Sequence, residues 1–247
     1  MNKDIQRTDE WIKIDDHAYD YHLKQWNNPK RSTVSFQDFI SKKIQSSANI
    51  LDLGCGAGAS TAFIARHAIN CHFHGLDLSS DLINIGNRNS ILFNIKNISF
   101  SKGNIYELNY YSGVDGVISL QTLSWLPDYQ EPIIEFIDKI SPKWMAFSSL
   151  FYEGDISCRI EVTEHARDRK TFYNVYSLKE FNRFLGNYGY SITEYKKFLI
   201  DIDINKDTNL DVMSTYTQRT IDDSEEIRLQ ISGPLLMNWY FVMIEKD

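Results

Sequence analysis

Three glycines and two aspartates carry the clearest chemistry in the sequence. The stretch "NILDLGCGAGAST", Asn49 to Thr61, sets Gly54, Gly56 and Gly58 directly behind an apolar run, with Asp52 two positions before the first glycine. Asp77 closes the later stretch "CHFHGLD". Only a residue without Cβ lets backbone N–H groups approach a ligand closely, so the glycines suit a dinucleotide, an ATP phosphate chain or S-adenosylmethionine (SAM) alike. No Gly-Lys-Ser/Thr follows them, which removes the phosphate loop. Gly54, Gly56 and Ala59 fit the dinucleotide spacing GxGxxG/A, and Asp77 would accept hydrogen bonds from a ribose diol in either remaining class. The charge at Asp52 separates the two. A carboxylate repels a pyrophosphate but attracts the ammonium of a methionine moiety, by about 1–4 kcal/mol at ~4 Å.

Positioning these residues requires alternating strands and helices. Ile50 to Leu53 reads as a strand, and Ser60 to Ala68 carries a helical pattern after the glycine loop. A second strand ends at Asp77, with Ser79 or Ser80 placed to cap a helix running to about Arg88. Asn97 to Asn104 gives a third strand, and Val114 to Leu120 a fourth that is apolar nearly throughout, as a strand covered on both faces should be. Ile133, Ile134, Phe136, Ile137 and Ile140 are spaced for a helix, and "KWMAFSSLF" supplies a fifth strand. This rhythm predicts an α/β fold with a doubly wound parallel sheet. Residues 1–47 are expected to be a helical cover, 48–150 the ligand-binding core, 151–176 an insertion and 177–247 a C-terminal helix and strands, all in a single domain. The insertion is too long for an ordinary βα loop of ~2–6 residues, and such length at a strand's carboxyl end usually serves a substrate. Within it, "EVTEHARDRK" reads as a solvated helix face of mixed charge, while Gly233-Pro234 should bend the final strand.

Composition narrows the function classes. At 43% hydrophobic and 24% charged residues, the chain matches soluble globular proteins. Its longest nearly uncharged apolar stretch, Ile231 to Ile244, is interrupted by Gly233, Pro234 and Asn238 and falls short of the ~20 residues that span a bilayer. "MNKDIQRTDEW" has no apolar segment behind its charges, so the expected location is the cytosol, with no membrane partner. Cys55, Cys71 and Cys158 are an odd number without CxxC spacing, which favours neither disulfides nor a metal cluster. A net charge of −7 argues against a nucleic-acid partner.

"ILDLGCGAG", "GLDLS", "SKGNIYEL" and "DGVISLQTLSWLPD" stand in the order and spacing of four motifs, and over Asn49 to Leu150 the chain resembles the class I SAM-dependent methyltransferases. The resemblance implies a seven-stranded, mostly parallel Rossmann-like sheet with its last strand antiparallel, SAM across the strands' carboxyl ends, and direct methyl transfer. It also implies roles by position. Gly54, Cys55, Gly56 and Gly58 would form the loop around the methionine half of SAM, with Asp52 near its amino group. Asp77 would hold the ribose, Leu78 and Ile105 would flank the adenine, and Leu120 and Gln121 would border the methyl group. Asn104 stands where the family often has an aspartate for the adenine amino group, and its amide carbonyl can accept the same bond. Trp125 stands where many small-molecule relatives have a histidine, and an indole takes no proton, so it would line the acceptor pocket or pack as a core aromatic.

The acceptor is expected on the insertion side. His165 and Glu153 are the leading candidates for a general base, ahead of Asp155, Glu161 and Glu164. Trp125, Phe151, Tyr152 and Tyr173 would line the acceptor pocket, Tyr19 and Tyr21 would bond the SAM carboxylate, and Arg31 would neutralise that carboxylate or hold an anionic acceptor. The sequence thus points to methylation of an O or N atom of a small molecule such as a sugar, nucleotide sugar or natural product. A SAM-binding subunit without catalysis and a protein or RNA methyltransferase are the alternatives. Oligomeric state leaves no signal in the sequence.

Overall fold

The structure is a computed structural model that describes residues 23–209, 211 and 213–247. Its central sheet follows the order β3-β2-β1-β4-β5-β13-β9. The strands are β1 Asn49–Leu53, β2 His72–Asp77, β3 Ile98–Lys102, β4 Gly116–Leu120, β5 Trp144–Tyr152, β9 Tyr190–Lys197 and β13 Trp239–Lys246. The first five pair in parallel, and β13 runs antiparallel to both β5 and β9. Helices α1 Arg31–Phe39, α2 Ala59–His67, α3 Ser80–Leu92, α4 Gln130–Ile140 and α5 Leu178–Gly186 flank them. The expected doubly wound class is therefore the observed one. Ser79 caps α3 by accepting the Leu82 N–H at 3.4 Å, and Ser177 caps α5 through the Glu180 N–H at 3.2 Å.

Period-two alternation along the strands sorts the core into two layers. Leu51 and Leu53 of β1 join Leu76, Val117, Phe136, Phe147 and Phe181 on the side of α4 and α5. Ile50 joins Phe36, Ala62, Ile64, Phe73, Ile118 and Phe241 on the side of α1, α2 and α3. Complete burial of each such side chain contributes about 1.5–3 kcal/mol. Asp52 lies in register with Ile50, so its carboxylate faces α2 from within the second layer.

Two sequence expectations fail here. "EVTEHARDRK" is a β-hairpin, β6 Glu161–Glu164 and β7 Arg169–Phe172 joined by a short turn of 3-10 helix, because Val162, Thr163 and Thr171 suit a pleated strand better than a helix. Gly233, at φ 53°, does not bend one long strand but closes a turn between β11 Glu225–Ser232 and β12 Leu235–Leu236. Together with β10 Thr215–Asp222, these two strands make a separate three-stranded sheet. It lies in the connection between β9 and β13, which leaves the main sheet at the same end as the insertion after β5. A two-residue strand, β8 Tyr176–Ser177, pairs with the end of β5 and returns the insertion to α5. Among the described residues, no helix is long and apolar enough to cross a membrane.

Candidate functional site

The carboxyl ends of β1, β2 and β4 meet around the glycine loop. Gly54, Gly56 and Gly58 all have positive φ, at 75°, 57° and 75°. Internal neighbours add a second reason for two of them: a Cβ at Gly54 would stand 2.5 Å from the Thr122 hydroxyl oxygen, and one at Gly58 would stand 2.1 Å from the Phe100 ring. The loop is pinned from below by Gly54 and Cys55 N–H groups donating to Leu76 O at 2.8 and 3.0 Å. Thr122 donates to Gly54 O at 3.3 Å, which joins the loop to the residues that follow β4.

Two carboxylates serve this loop in different ways. Asp77, half-buried at the end of β2, accepts the Gly56 N–H at 2.8 Å and the Ser79 N–H at 2.9 Å. Burial raises its pKa, and bonds from the Ser79, Gly56 and Leu78 amides oppose the rise. Asp52 is enclosed beneath the loop rather than open on it. Its Oδ2 accepts the Thr61 hydroxyl at 2.5 Å, and its Oδ1 has no hydrogen-bond partner among the described residues. Burial pushes its pKa up to about 7; the Thr61 bond opposes the rise and the Asp77 charge adds to it. Burial, then Asp52 and Asp77, hold the Cys55 thiol well above its ordinary pKa, so it stays protonated and unreactive. Leu78 and Ile105 are half-buried along the carboxyl edge, and Asn104 Oδ1 accepts the Tyr106 N–H at 3.1 Å. Leu120 and Gln121 are half-buried at the end of β4.

The segment before β1 covers the loop at three points. Trp26 Nε1 donates to Ala57 O at 3.0 Å, Thr33 and Ser60 hydroxyls bond at 2.8 Å, and Lys30 Nζ donates to Gln121 Oε1 at 3.0 Å. Arg31 turns away: it is exposed and pairs with Asp201 at 3.4 Å, whereas the neighbouring Lys30 reaches Gln121. Adjacent side chains at the start of a helix point in different directions, which the sequence "PKRST" does not reveal. Tyr19 and Tyr21 lie outside the described residues.

On the acceptor side the structure brings together Trp125 and Tyr173 and separates the other candidates. Trp125 sits on the 3-10 turn Leu123–Trp125, half-buried, with its ring edge-on to Tyr173 at a centroid distance of 4.3 Å. Burial pushes the Tyr173 phenol up to about 12, with a Ser232 hydrogen bond opposing. Phe151 is a correction: it is fully buried and packs on Phe181 at 5.4 Å, because β5 alternates and this position faces the core. Tyr152 is exposed, with its ring over Gly154. Glu153, also exposed, accepts the Tyr240 hydroxyl at 2.8 Å, and burial followed by this bond lifts Tyr240 to about 12. His165 lies exposed on the hairpin turn, separated from Tyr173 by the length of β7, about 13 Å at ~3.3 Å per residue. Glu153 is thus engaged by Tyr240 at the surface, and His165 lies on the exposed hairpin turn.

Sequence reasoning missed Asn174, which ties the hairpin to the Trp125 turn. It is 1% exposed and uses both ends of its amide. Oδ1 accepts the Ile160 N–H at 2.9 Å, and Nδ2 donates to Leu126 O at 2.8 Å and to the Tyr176 hydroxyl at 3.3 Å. Its own N–H donates to Ser124 O at 2.8 Å, while Tyr176 donates to Leu123 O at 3.1 Å. It missed the second insertion as well. Leu150, Tyr173, Met237 and Trp239 form one apolar cluster that Trp125, Val162, Met213 and Leu235 join, so hairpin and three-stranded sheet close over the same point.

The residues present fit a particular ligand. A buried carboxylate oxygen without a partner, a second carboxylate at the end of β2 and a loop of left-handed glycines match a molecule with an ammonium and a ribose diol and without a pyrophosphate, as SAM is. Among the described residues no group of three or more His, Cys, Asp or Glu could hold a metal ion. A family profile described as "Methyltransferase domain" matches residues 44–197. The chain is 23% identical over 113 residues to a trans-aconitate 2-methyltransferase of Mycobacterium tuberculosis, covering 45% of this chain and 41% of that protein. It is 26% identical over 161 residues to a malonyl-[acyl-carrier protein] O-methyltransferase of Bacillus anthracis, covering 65% of this chain and 58% of that protein. The chain thus spans about half the length of the curated relatives it matches. Among solved structures, magnesium protoporphyrin IX methyltransferase from Synechocystis PCC 6803 with bound S-adenosylhomocysteine (SAH) superimposes with a TM-score of 0.55 at 12% identity, covering 95% of this chain and 89% of that one.

Proposed function

The chain belongs to the class I methyltransferase-domain family, and from that premise we propose that it transfers a methyl group from SAM to an O or N atom of a small molecule. The observation that carries this reading is the joining of the donor loop to an aromatic roof: Thr122 bonds Gly54, and three residues later Trp125 meets Tyr173. SAM, when bound, supplies a methyl group activated by its sulfonium. The protein's work is then alignment and exclusion of water rather than proton transfer. Asp77 takes hydroxyl groups, Asp52 sets a negative potential beneath the loop, and the two insertions shield the acceptor side. A net charge of −7 favours a small acceptor over nucleic acid. The names of the two curated relatives support an acidic acceptor, since trans-aconitate and a malonyl group both carry carboxyl groups.

Trp125 in place of a base favours one second reading, a SAM-binding subunit without catalysis. Calorimetry with SAH tests the first half of the proposal, and the absence of any binding heat would sink it. Incubation of cell-extract small molecules with methyl-labelled SAM tests the second half: label should appear in a small acid, and SAH binding without label transfer would favour the non-catalytic subunit.

A further inference from the structure

We propose that a cavity at the amino-terminal edge of the main sheet binds a phosphate group, as the free ion or as the phosphate of a small monoester. The cavity measures about 220 Å³ and has His72, His74, Lys96, Ile98, Ser99 and Val114 in its lining. The length of β1, about 16 Å at ~3.3 Å per residue, separates it from the glycine loop, so its ligand is distinct from the methyl donor. Parallel strands are normally covered on both faces and apolar there. Residues 103–115 join β3 to β4 without a helix, so a loop stands where a covering helix would. Alternation puts His72 and His74 on the same face as Leu51, and Ser99 is in register with His74. Histidines and a serine where apolar side chains belong break the local pattern, and such a break points to a role beyond packing.

The lining offers hydrogen-bond donors. Lys96 and His72 are exposed, and neither side chain has a hydrogen bond or ion pair among the described residues. His74 is held: its Nδ1 bonds Ser99 Oγ at 2.7 Å and its Nε2 bonds Ser101 Oγ at 2.8 Å. Burial lowers its pKa, so at pH 7 the ring is neutral and carries one proton. With that proton on Nδ1, Ser101 donates to Nε2, Nδ1–H donates to Ser99, and the Ser99 hydroxyl is left to donate to a ligand. An ammonium, an imidazole and a hydroxyl on one cavity suit an anion with several oxygens, which phosphate supplies. The carboxylate next to Val114 does not oppose it, because Asp115 is already paired with Lys143 at 2.7 Å and accepts the Asn49 N–H at 3.0 Å. The volume falls below the ~300–1,000 Å³ of ordinary ligand pockets, which limits the ligand to a small one.

The test is calorimetry at constant ionic strength, with SAH present throughout to occupy the donor loop. Inorganic phosphate and glycerol 3-phosphate are titrated into the full chain and into Lys96→Gln, Ser99→Ala and Lys102→Gln. All three residues are exposed, so each variant should keep the thermal midpoint of the unaltered protein. Expected results are saturable binding to the unaltered protein, a loss of about tenfold or more in Lys96→Gln, a loss of about threefold or more in Ser99→Ala, and no change in Lys102→Gln, whose lysine lies on the other face of β3. Within that pattern, tighter binding of inorganic phosphate assigns the free ion, and tighter binding of glycerol 3-phosphate assigns a monoester. Equal losses in Lys96→Gln and Lys102→Gln would overturn the proposal by reducing the effect to surface charge. Binding that ignores Ser99→Ala, or no binding of either probe, would overturn it too.

Discussion

The donor loop and the acceptor roof are built on opposite plans. Donor groups from Asp52 to Thr61 come from one strand, one turn and one helix start, with Asp77 added by the neighbouring strand. The roof gathers residues from the turn after β4, the hairpin after β5 and the sheet after β9, whose members stand as far apart as Trp125 and Trp239. Local spacing fixes the first. Tertiary hydrogen bonds fix the second, with Asn174 at their centre.

This contrast predicts that donor affinity and roof integrity respond to different substitutions. Asn174→Ala should have the largest effect on stability, about 2–4 kcal/mol, because it leaves the half-buried Ile160 N–H and the buried Leu126 C=O without their partner. Urea unfolding measures that loss, and SAH affinity should stay within about twofold; a parallel loss of SAH binding would break the separation. Asp77→Ala should do the reverse, weakening SAH by the about 1.5–3 kcal/mol of a charged hydrogen bond, roughly 10- to 150-fold in calorimetry.

A smaller effect concerns pH. Asp52 has its folded pKa raised from 3.8 to about 7, so the folded state binds this proton more tightly than the unfolded chain. Stability from this group is fully present below pH ~4 and is lost as pH rises through about 7. Asp52→Asn keeps an acceptor for the Thr61 hydroxyl and removes the titration. It should raise the thermal midpoint at pH 8 relative to the unaltered protein and leave pH 4 nearly unchanged. A variant less stable at both pH values would show that the buried carboxylate stabilises the fold. His165→Ala should change stability by less than about 0.5 kcal/mol and leave SAH affinity and methyl transfer untouched, given its exposed turn. A loss of turnover in that variant would reinstate His165 as a base.

The same contrast explains what the sequence disclosed. Gly54, Asp77 and Ser79 act on residues close by in sequence or on the adjacent strand, so type and spacing suffice to place them. Lys30 and Arg31 differ only in which way each side chain leaves the start of α1, and no pattern in "PKRST" encodes that. Phe151 and Tyr152 are both aromatic, yet strand parity buries one and exposes the other. The hairpin was hidden because charges at Glu161, Glu164, Arg169 and Lys170 mimic a helix face, although Val162 and Thr171 carried a strand signal. Asn174 gave no warning: a polar residue among Phe172, Tyr173 and Tyr176 reads as a loop, and only its four partners reveal a buried tie.

Two of the five tryptophans fall on opposite sides of this divide. Trp26 stacks on Phe93 at 5.6 Å with its indole N–H on Ala57, while Trp125 meets Tyr173 under the roof. Each is therefore a natural optical reporter for one half of the molecule. Variants retaining only one of the pair would convert occupancy of each half into its own fluorescence change, and the order in which donor and acceptor arrive could be followed in real time.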